Sequence, residues 1–259
     1  MYTKEQLTKH LEMLKIDKKG TLLVHSSMKS IGEVEGGADT VLDALCEYMS
    51  EGLLVLPTHT WSYINKDNPV FDVVSSKVCI GILPELFRQR EGVVRSLHPT
   101  HSVAALGKDA NDFVAGSEEY DTPCARKSPW GKLLDRNASV MLLGVDLRRN
   151  TFIHGVEEWL DIEGRLTDEP EQLYVLTKDK EKISVPQRRH HGDHWSEYFG
   201  KVDDFFMEHN VMYKGKFGDA TVRICSTKEM TRILEKMLDI NPNLFSNNAP
   251  LEYNKYIFD

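Results

Sequence analysis

The sequence predicts a single layered α/β domain spanning residues 1–259. Short apolar runs bounded by turn signals alternate with amphipathic stretches, and no Gly-, Ser- or Pro-rich linker interrupts them. Residues 1–20 read as an amphipathic helix with Leu7, Leu11 and Leu14 on one face. TLLVH at 21–25 is a buried strand, and Gly36-Gly37 opens a helix through about Met49. GLLVLP at 52–57 is a second strand, stopped by Pro57 because proline has no N–H to donate. Residues 65–76 are polar and read as a loop, and 80–89 as a helix. Strands are expected at 102–106 and, most clearly, at 139–145 (SVMLLGV). A helix begins near Thr151 and runs to about Ile162, with strands at 173–176 and 182–185. Residues 195–209 and 227–238 read as helices around a strand at 221–224.

Composition narrows the function. There are 32 Lys plus Arg against 40 Asp plus Glu, a net charge of −8, so phosphate backbones repel the surface and nucleic acid is not an expected partner. The acidity favours cationic ligands or serves solubility alone. No apolar run approaches the roughly 20 residues of a membrane span, and the N-terminus lacks the apolar stretch of a signal peptide. Cys46, Cys79, Cys124 and Cys225 form no CxxC pair and read as reduced thiols, which places the expected location in the cytoplasm.

Four segments look like chemistry. His25-Ser26-Ser27-Met28-Lys29-Ser30-Ile31-Gly32, followed by Glu35-Gly36-Gly37-Ala38, suits phosphate binding by free backbone N–H groups, and equally a capped helix after a turn. The segment from Arg95 to Val103 (RSLHPTHSV) packs two histidines, an arginine and two serines into a loop stiffened by Pro99. It can be an anion cradle or a hydrogen-bonded structural turn. In the third, His154 and Glu157 are i and i+3 on one helical face, just after the strongest strand. A carboxylate there fixes the imidazole tautomer and stabilises imidazolium, although surface pairs at this spacing are common. In the fourth, His191, Asp193 and His194 match the tail of an HxHxDH metal pattern, whose leading histidine is replaced by Arg189. A flexible ligand-contacting loop is the simpler reading of it.

In order, these segments resemble the aminoglycoside 3-N-acetyltransferase family. Its H-S/A-S-x-x-x-I-G and G-G-A elements match residues 25–32 and 36–38, after a strand, and its strand ending in Pro-Thr matches Pro57-Thr58. G-x-L-P-E-x-F-R matches 81–88, R-S-x-H-P-x-x-S-V matches 95–103 and S-P-W-G-K-L matches 128–133. N-T-x-x-H-x-x-E matches Asn150, Thr151, His154 and Glu157. Residues 73–77 lack a proline-serine element of the pattern, and beyond Arg165 the match thins to Arg189-His190, 218–220 and 239–242.

The resemblance implies a fold distinct from the GNAT acetyltransferases and a reaction moving acetyl from acetyl-CoA to a primary amine of an aminoglycoside or related aminosugar. It makes His154 the general base and Glu157 its orienting partner. Thr58, Thr151 and the Ser26–Ser27 backbone are then expected to face the thioester oxygen. Coenzyme A is assigned to Ser26, Ser27, Lys29, Ser30, Arg95, Ser96, His98, Ser102 and Val103. The acceptor is assigned to Glu35, Trp61, His190, His191 and Asp193. No metal is expected, and a monomer or homodimer fits. The alternatives are an N-acyltransferase acting on a nucleotide-linked aminosugar or another amine, a metal-dependent hydrolase built on His190, His191, Asp193 and His194, and a binder without turnover.

Overall fold

The computed structural model describes residues 1–193 and 195–257. The chain opens with α1 (Lys4–Met13), β1 (Thr21–Ser26), α2 (Gly37–Tyr48) and β2 (Leu53–Pro57). Next come β3 (Val70–Asp72), α3 (Ile82–Phe87), β4 (Val94–Arg95) and β5 (Val103–Gly107). Helices α4 (Ala110–Val114) and α5 (Pro129–Asp135) lead to β6 (Ser139–Leu143) and α6 (Thr151–Trp159). The described elements end with β7 (Tyr174–Leu176), β8 (Lys182–Ser184), α7 (Asp203–Glu208), β9 (Met212–Phe217), β10 (Ala220–Ser226) and α8 (Thr227–Ile240).

One sheet has the order β4-β5-β2-β1-β6-β10-β9. β1 runs parallel to both β2 and β6, and the remaining pairs are antiparallel. Because strand side chains alternate, each central strand feeds two cores. Leu23, Val55, Val140 and Leu142 pack with Phe152, Ile153, Val156 and the α8 residues Ile233 and Leu234. Leu22, Val24, Leu54, Met141 and Leu143 pack on the other face with Leu7, Leu11, Val41, Leu45 and Phe87. Continuous apolar runs are what strands covered on both faces require. A second sheet, β3-β7-β8, has its own core of Phe71, Val73, Leu173, Val175 and Val185.

The sequence reading departs from the structure in several places: the first helix is Lys4–Met13 and not residues 1–20, and β4, α4 and α5 are not among the expected elements. Residues 65–76 contain β3, which pairs with β7, a partner a hundred residues away that local polarity cannot reveal. Residues 195–209 are not one helix: a 3₁₀ stretch, Ser196–Val202, hands over to α7. The predicted strand at 221–224 is the middle of β10, and its hairpin partner β9 (MYKGKF) was masked by exposed lysines, which suit a sheet edge. No helix among the described residues is long and apolar enough to cross a membrane.

β2 and β6 flank β1 on opposite sides, so the chain diverges at the carboxyl end of β1 and leaves a crevice. Gly144 turns the chain out of β6. Its φ is +68°, and a Cβ there would lie 2.4 Å from Ser30 Cβ, so only glycine permits this turn.

Candidate active site

A cavity of about 380 Å³ opens at that crevice. β1 contributes His25 and Ser26, the exit of β2 contributes His59, and the turn after β6 contributes Val145, Arg148 and Arg149. Thr151 and His154 reach in from the first turn of α6, and Trp61, His101, Arg189 and His190 line it from the surrounding loops.

His154 is anchored from behind. Its Nδ1 lies 3.0 Å from Glu157 Oε2, and Glu157 is fully buried. Arg165 Nε donates to the same oxygen at 2.9 Å, while its Nη2 sits 2.5 Å from His154 Nδ1. One nitrogen cannot donate to the carboxylate and accept from the guanidinium together. A carboxylate removed from water is stabilised by each donor aimed at it, which favours Nδ1–H donating to Glu157. That tautomer leaves the Nε2 lone pair for the cavity. Burial, then the charge of Arg165, pushes the imidazole down to about 4 against the opposing Glu157 bond, so it is neutral at pH 7.

A second imidazole–carboxylate pair stands beside the first. His190 Nε2 lies 2.5 Å from Glu158 Oε1, and Cys124 N–H donates to both Glu158 oxygens at 3.0 Å. The His154 and His190 rings are 4.6 Å apart. Burial raises the Glu158 carboxyl to about 8 and holds His190 neutral. Cys124 Sγ, a Glu158 oxygen and a His190 nitrogen lie within 4.8 Å of one another, a donor set that suits zinc. The 2.5 Å contact between Glu158 and His190 leaves no room for an ion between them at metal–ligand bonds of about 2.0–2.3 Å.

The expected residues divide sharply. His154, Thr151, Ser26, Trp61 and His190 line the cavity, and Glu157 stands directly behind it. Ser27 and Ser30 hydrogen-bond each other at 3.0 Å below it, while Lys29 and Glu35 are exposed elsewhere. The segment Arg95 to Val103, assigned above to coenzyme A, is hydrogen-bonded into a structural knot, and of it only His101 lines the cavity. Arg95 donates from Nε to Thr58 Oγ1 (3.1 Å) and Ser102 Oγ (3.2 Å), from Nη1 to Ser76 O (2.7 Å) and from Nη2 to Thr58 O (2.8 Å). Its guanidinium also lies over the Phe71 ring. Those acceptors leave the buried cation nothing for a phosphate.

Thr58 and Ser102 are fully buried in the same knot, bonded to each other at 2.8 Å, and Thr58 is outside the cavity lining. Ser96 Oγ accepts the Val103 N–H, and the Val103 side chain is buried in the core. His98 Nδ1 accepts from the Thr100 and His101 backbones, so its Nε2 donates to Thr122 O. His101 alone from this segment reaches the cavity. His191 and Asp193 are exposed and outside the lining, and His194 lies outside the described residues; among the described residues of 190–194 only His190 reaches the cavity. Replacing Arg95 by Ala is expected to lower stability by about 2–4 kcal/mol, because it orphans several buried acceptors at once. Chemical denaturation measures this, and an unchanged midpoint would contradict the knot.

Residues 23–239 match the sequence profile of the aminoglycoside 3-N-acetyltransferase family. The chain belongs to this family. It is therefore an acyltransferase by descent, and the α/β fold expected of the family is the one observed. Among relatives, the SPbeta prophage-derived aminoglycoside N(3')-acetyltransferase-like protein YokD of Bacillus subtilis is 30% identical, covering 90% of this chain and 91% of its own. Aminoglycoside N(3)-acetyltransferase IV of Salmonella sp. is 27% identical over 94% of this chain and 90% of the relative. The crystal structure of an AAC(3)-IVa mutant in complex with a gentamicin superposes with a TM-score of 0.81 at 27% identity, over 94% and 91% of the two chains. The family motif around Asn150 to Glu157 thus falls on the one helix that delivers a histidine to the cavity.

Proposed function

We propose that this chain transfers acetyl from acetyl-CoA directly to a primary amine of an aminosugar-type acceptor, the class that includes aminoglycosides. The observation that carries the reading is His154: a neutral imidazole, held at Nδ1 and open at Nε2 in a crevice at the strand ends. The free amine attacks the thioester carbonyl, forming the C–N bond and breaking C–S. The proton lost from nitrogen passes to His154 Nε2, and coenzyme A leaves as the thiolate. Glu157 stabilises the imidazolium formed in that step, with Arg165 holding the carboxylate in place. Thr151 and Ser26, which line the cavity, are the donors for the developing oxyanion, since the Ser27 N–H is already given to Leu143 O at 2.9 Å.

Direct transfer is supported by the lining. Among the described residues no cysteine lines the cavity, and no lining serine or threonine bonds a histidine, so an activated acyl-enzyme nucleophile is lacking. Burial also pushes the Cys124 thiol up, away from thiolate. A thiol-release assay with acetyl-CoA against a panel of amines tests the activity itself.

Two outcomes follow. Acetyl-CoA is expected to raise the Tm, since a ligand at 100 times its Kd stabilises the folded state by about 2.7 kcal/mol. No shift at millimolar acetyl-CoA would count against the donor. Turnover is expected to survive EDTA, because the Glu158–His190 contact is closed to an ion; loss with EDTA and recovery with zinc would reverse that.

A further inference from the structure

The whole chain is acidic, at −8, yet no Asp or Glu is among the described residues lining the cavity. Arg148, Arg149 and Arg189 are. The carboxylates near these cations are already engaged. Asp146 accepts from Arg148 at 2.7 Å, Glu197 lies 3.6 Å from Arg148 and 3.8 Å from Arg149, and Glu171 lies 3.6 Å from Arg189. Glu157 and Glu158 stand behind His154 and His190, turned to those rings.

Arg149 is the most available of the three, with its side chain 63% exposed and, among the described residues, the single ion-pair partner Glu197, which it shares with Arg148. Arg189 is fixed in place, donating to Ile64 O and Trp61 O at 3.0 Å, which couples it to the exposed Trp61. On the cavity floor, His59 is 3% exposed and neither ring nitrogen has a partner, and His25 Nε2 also has none. Buried polar atoms without partners await a ligand that supplies them. Burial keeps both rings neutral, so they can bond hydroxyl groups but add no charge.

A polycation with several ammonium groups loses hydration on entering such a cavity and finds guanidinium groups where it needs carboxylates. A molecule with one reactive amine and an oxyanion finds planar donor forks suited to that anion. The diphosphate of coenzyme A is separated from the thioester by the whole pantetheine arm, so cations sharing the cavity with His154 are left for the acceptor. We propose that the acceptor is an amine on an oxyanion-bearing molecule of the amino-sugar-phosphate kind, and not a polycationic aminoglycoside. This inference rests on the acetyl transfer proposed above.

The test uses the purified full chain, acetyl-CoA and thiol release with glucosamine 6-phosphate, glucosamine and kanamycin. The expected kcat/KM is at least tenfold higher for the phosphorylated amine than for either other acceptor. R149E is expected to abolish that preference by raising KM for glucosamine 6-phosphate more than tenfold, with KM for acetyl-CoA within twofold. With saturating coenzyme A present, glucosamine 6-phosphate should raise the Tm of the wild type but not of R149E. Kanamycin turned over as well as or better than glucosamine 6-phosphate would overturn this inference and leave acetyl transfer standing. A KM for acetyl-CoA that rises in step would show Arg149 serving coenzyme A and also overturn it. Thiol release with none of the three amines would overturn both readings.

Discussion

His154→Ala is expected to lower kcat by about 10²–10⁴-fold, the range for removing a general base. Binding of coenzyme A, followed by calorimetry, should persist, because the ring acts on the amine proton. Glu157→Gln is expected to be milder in kcat. An amide can still accept from Nδ1 and orient the ring, but it cannot stabilise imidazolium. It should also lower the Tm, because Arg165, 3% exposed at its side chain, loses its buried counter-ion. A folded His154→Ala protein turning over near the wild-type rate would remove the centre of the mechanism. His190, the other cavity imidazole backed by a buried carboxyl group, would then be the next residue to substitute.

Marked acid lability is the second large effect expected. Burial holds His25 at about 3 and His98 and His154 at about 4, against 6.5 for an unperturbed imidazole, and keeps His59, His101 and His190 neutral as well. The unfolded chain therefore binds more protons than the native one between about pH 6.5 and pH 4. Stability contributed by these rings is fully present above 6.5 and is lost as pH falls through that window. At 1.36 kcal/mol per pKa unit the loss is on the order of 5 kcal/mol or more, a large share of a typical 5–15 kcal/mol.

Glu158 acts in the opposite sense. Its folded carboxyl holds a proton to about 8, so its contribution declines as pH rises from 4.5 to 8. One carboxyl is outweighed by six imidazoles, and maximum stability is expected near pH 6–7. Urea denaturation at pH 7 and pH 4.5 measures this, with His25→Gln expected to flatten the dependence. Equal midpoints at the two pH values would show that the rings are not buried neutral.

Local chemistry determined a good deal of this protein from sequence alone. The central strands were legible because each is an unbroken apolar run covered on both faces, and β6 followed by a helix opening at Thr151 needs no distant information. The His154–Glu157 pair was legible because i,i+3 neighbours on a helix meet whatever surrounds them. Spacing could not say whether that pair was buried, nor that Arg165 would reach it. Arg165 lies beyond the end of α6, and the chain returns to the pair through Asp161 in the left-handed conformation.

Tertiary structure decided the rest, through burial and convergence. The segment Arg95 to Val103 showed a dense set of donors. Whether donors serve a ligand or the fold depends on which acceptors lie across from them, and here those acceptors come from residues 58 and 76. His25, His59 and His101 are spread along the sequence and become one wall only because β1, the exit of β2 and the loop before β5 meet at one end of the sheet. The charge of the cavity is likewise invisible in a composition of −8, because Arg148, Arg149 and Arg189 line it and, among the described residues, no Asp or Glu does. Net charge sums over a surface, whereas a ligand meets only the few groups that folding brings within a hydrogen bond of it.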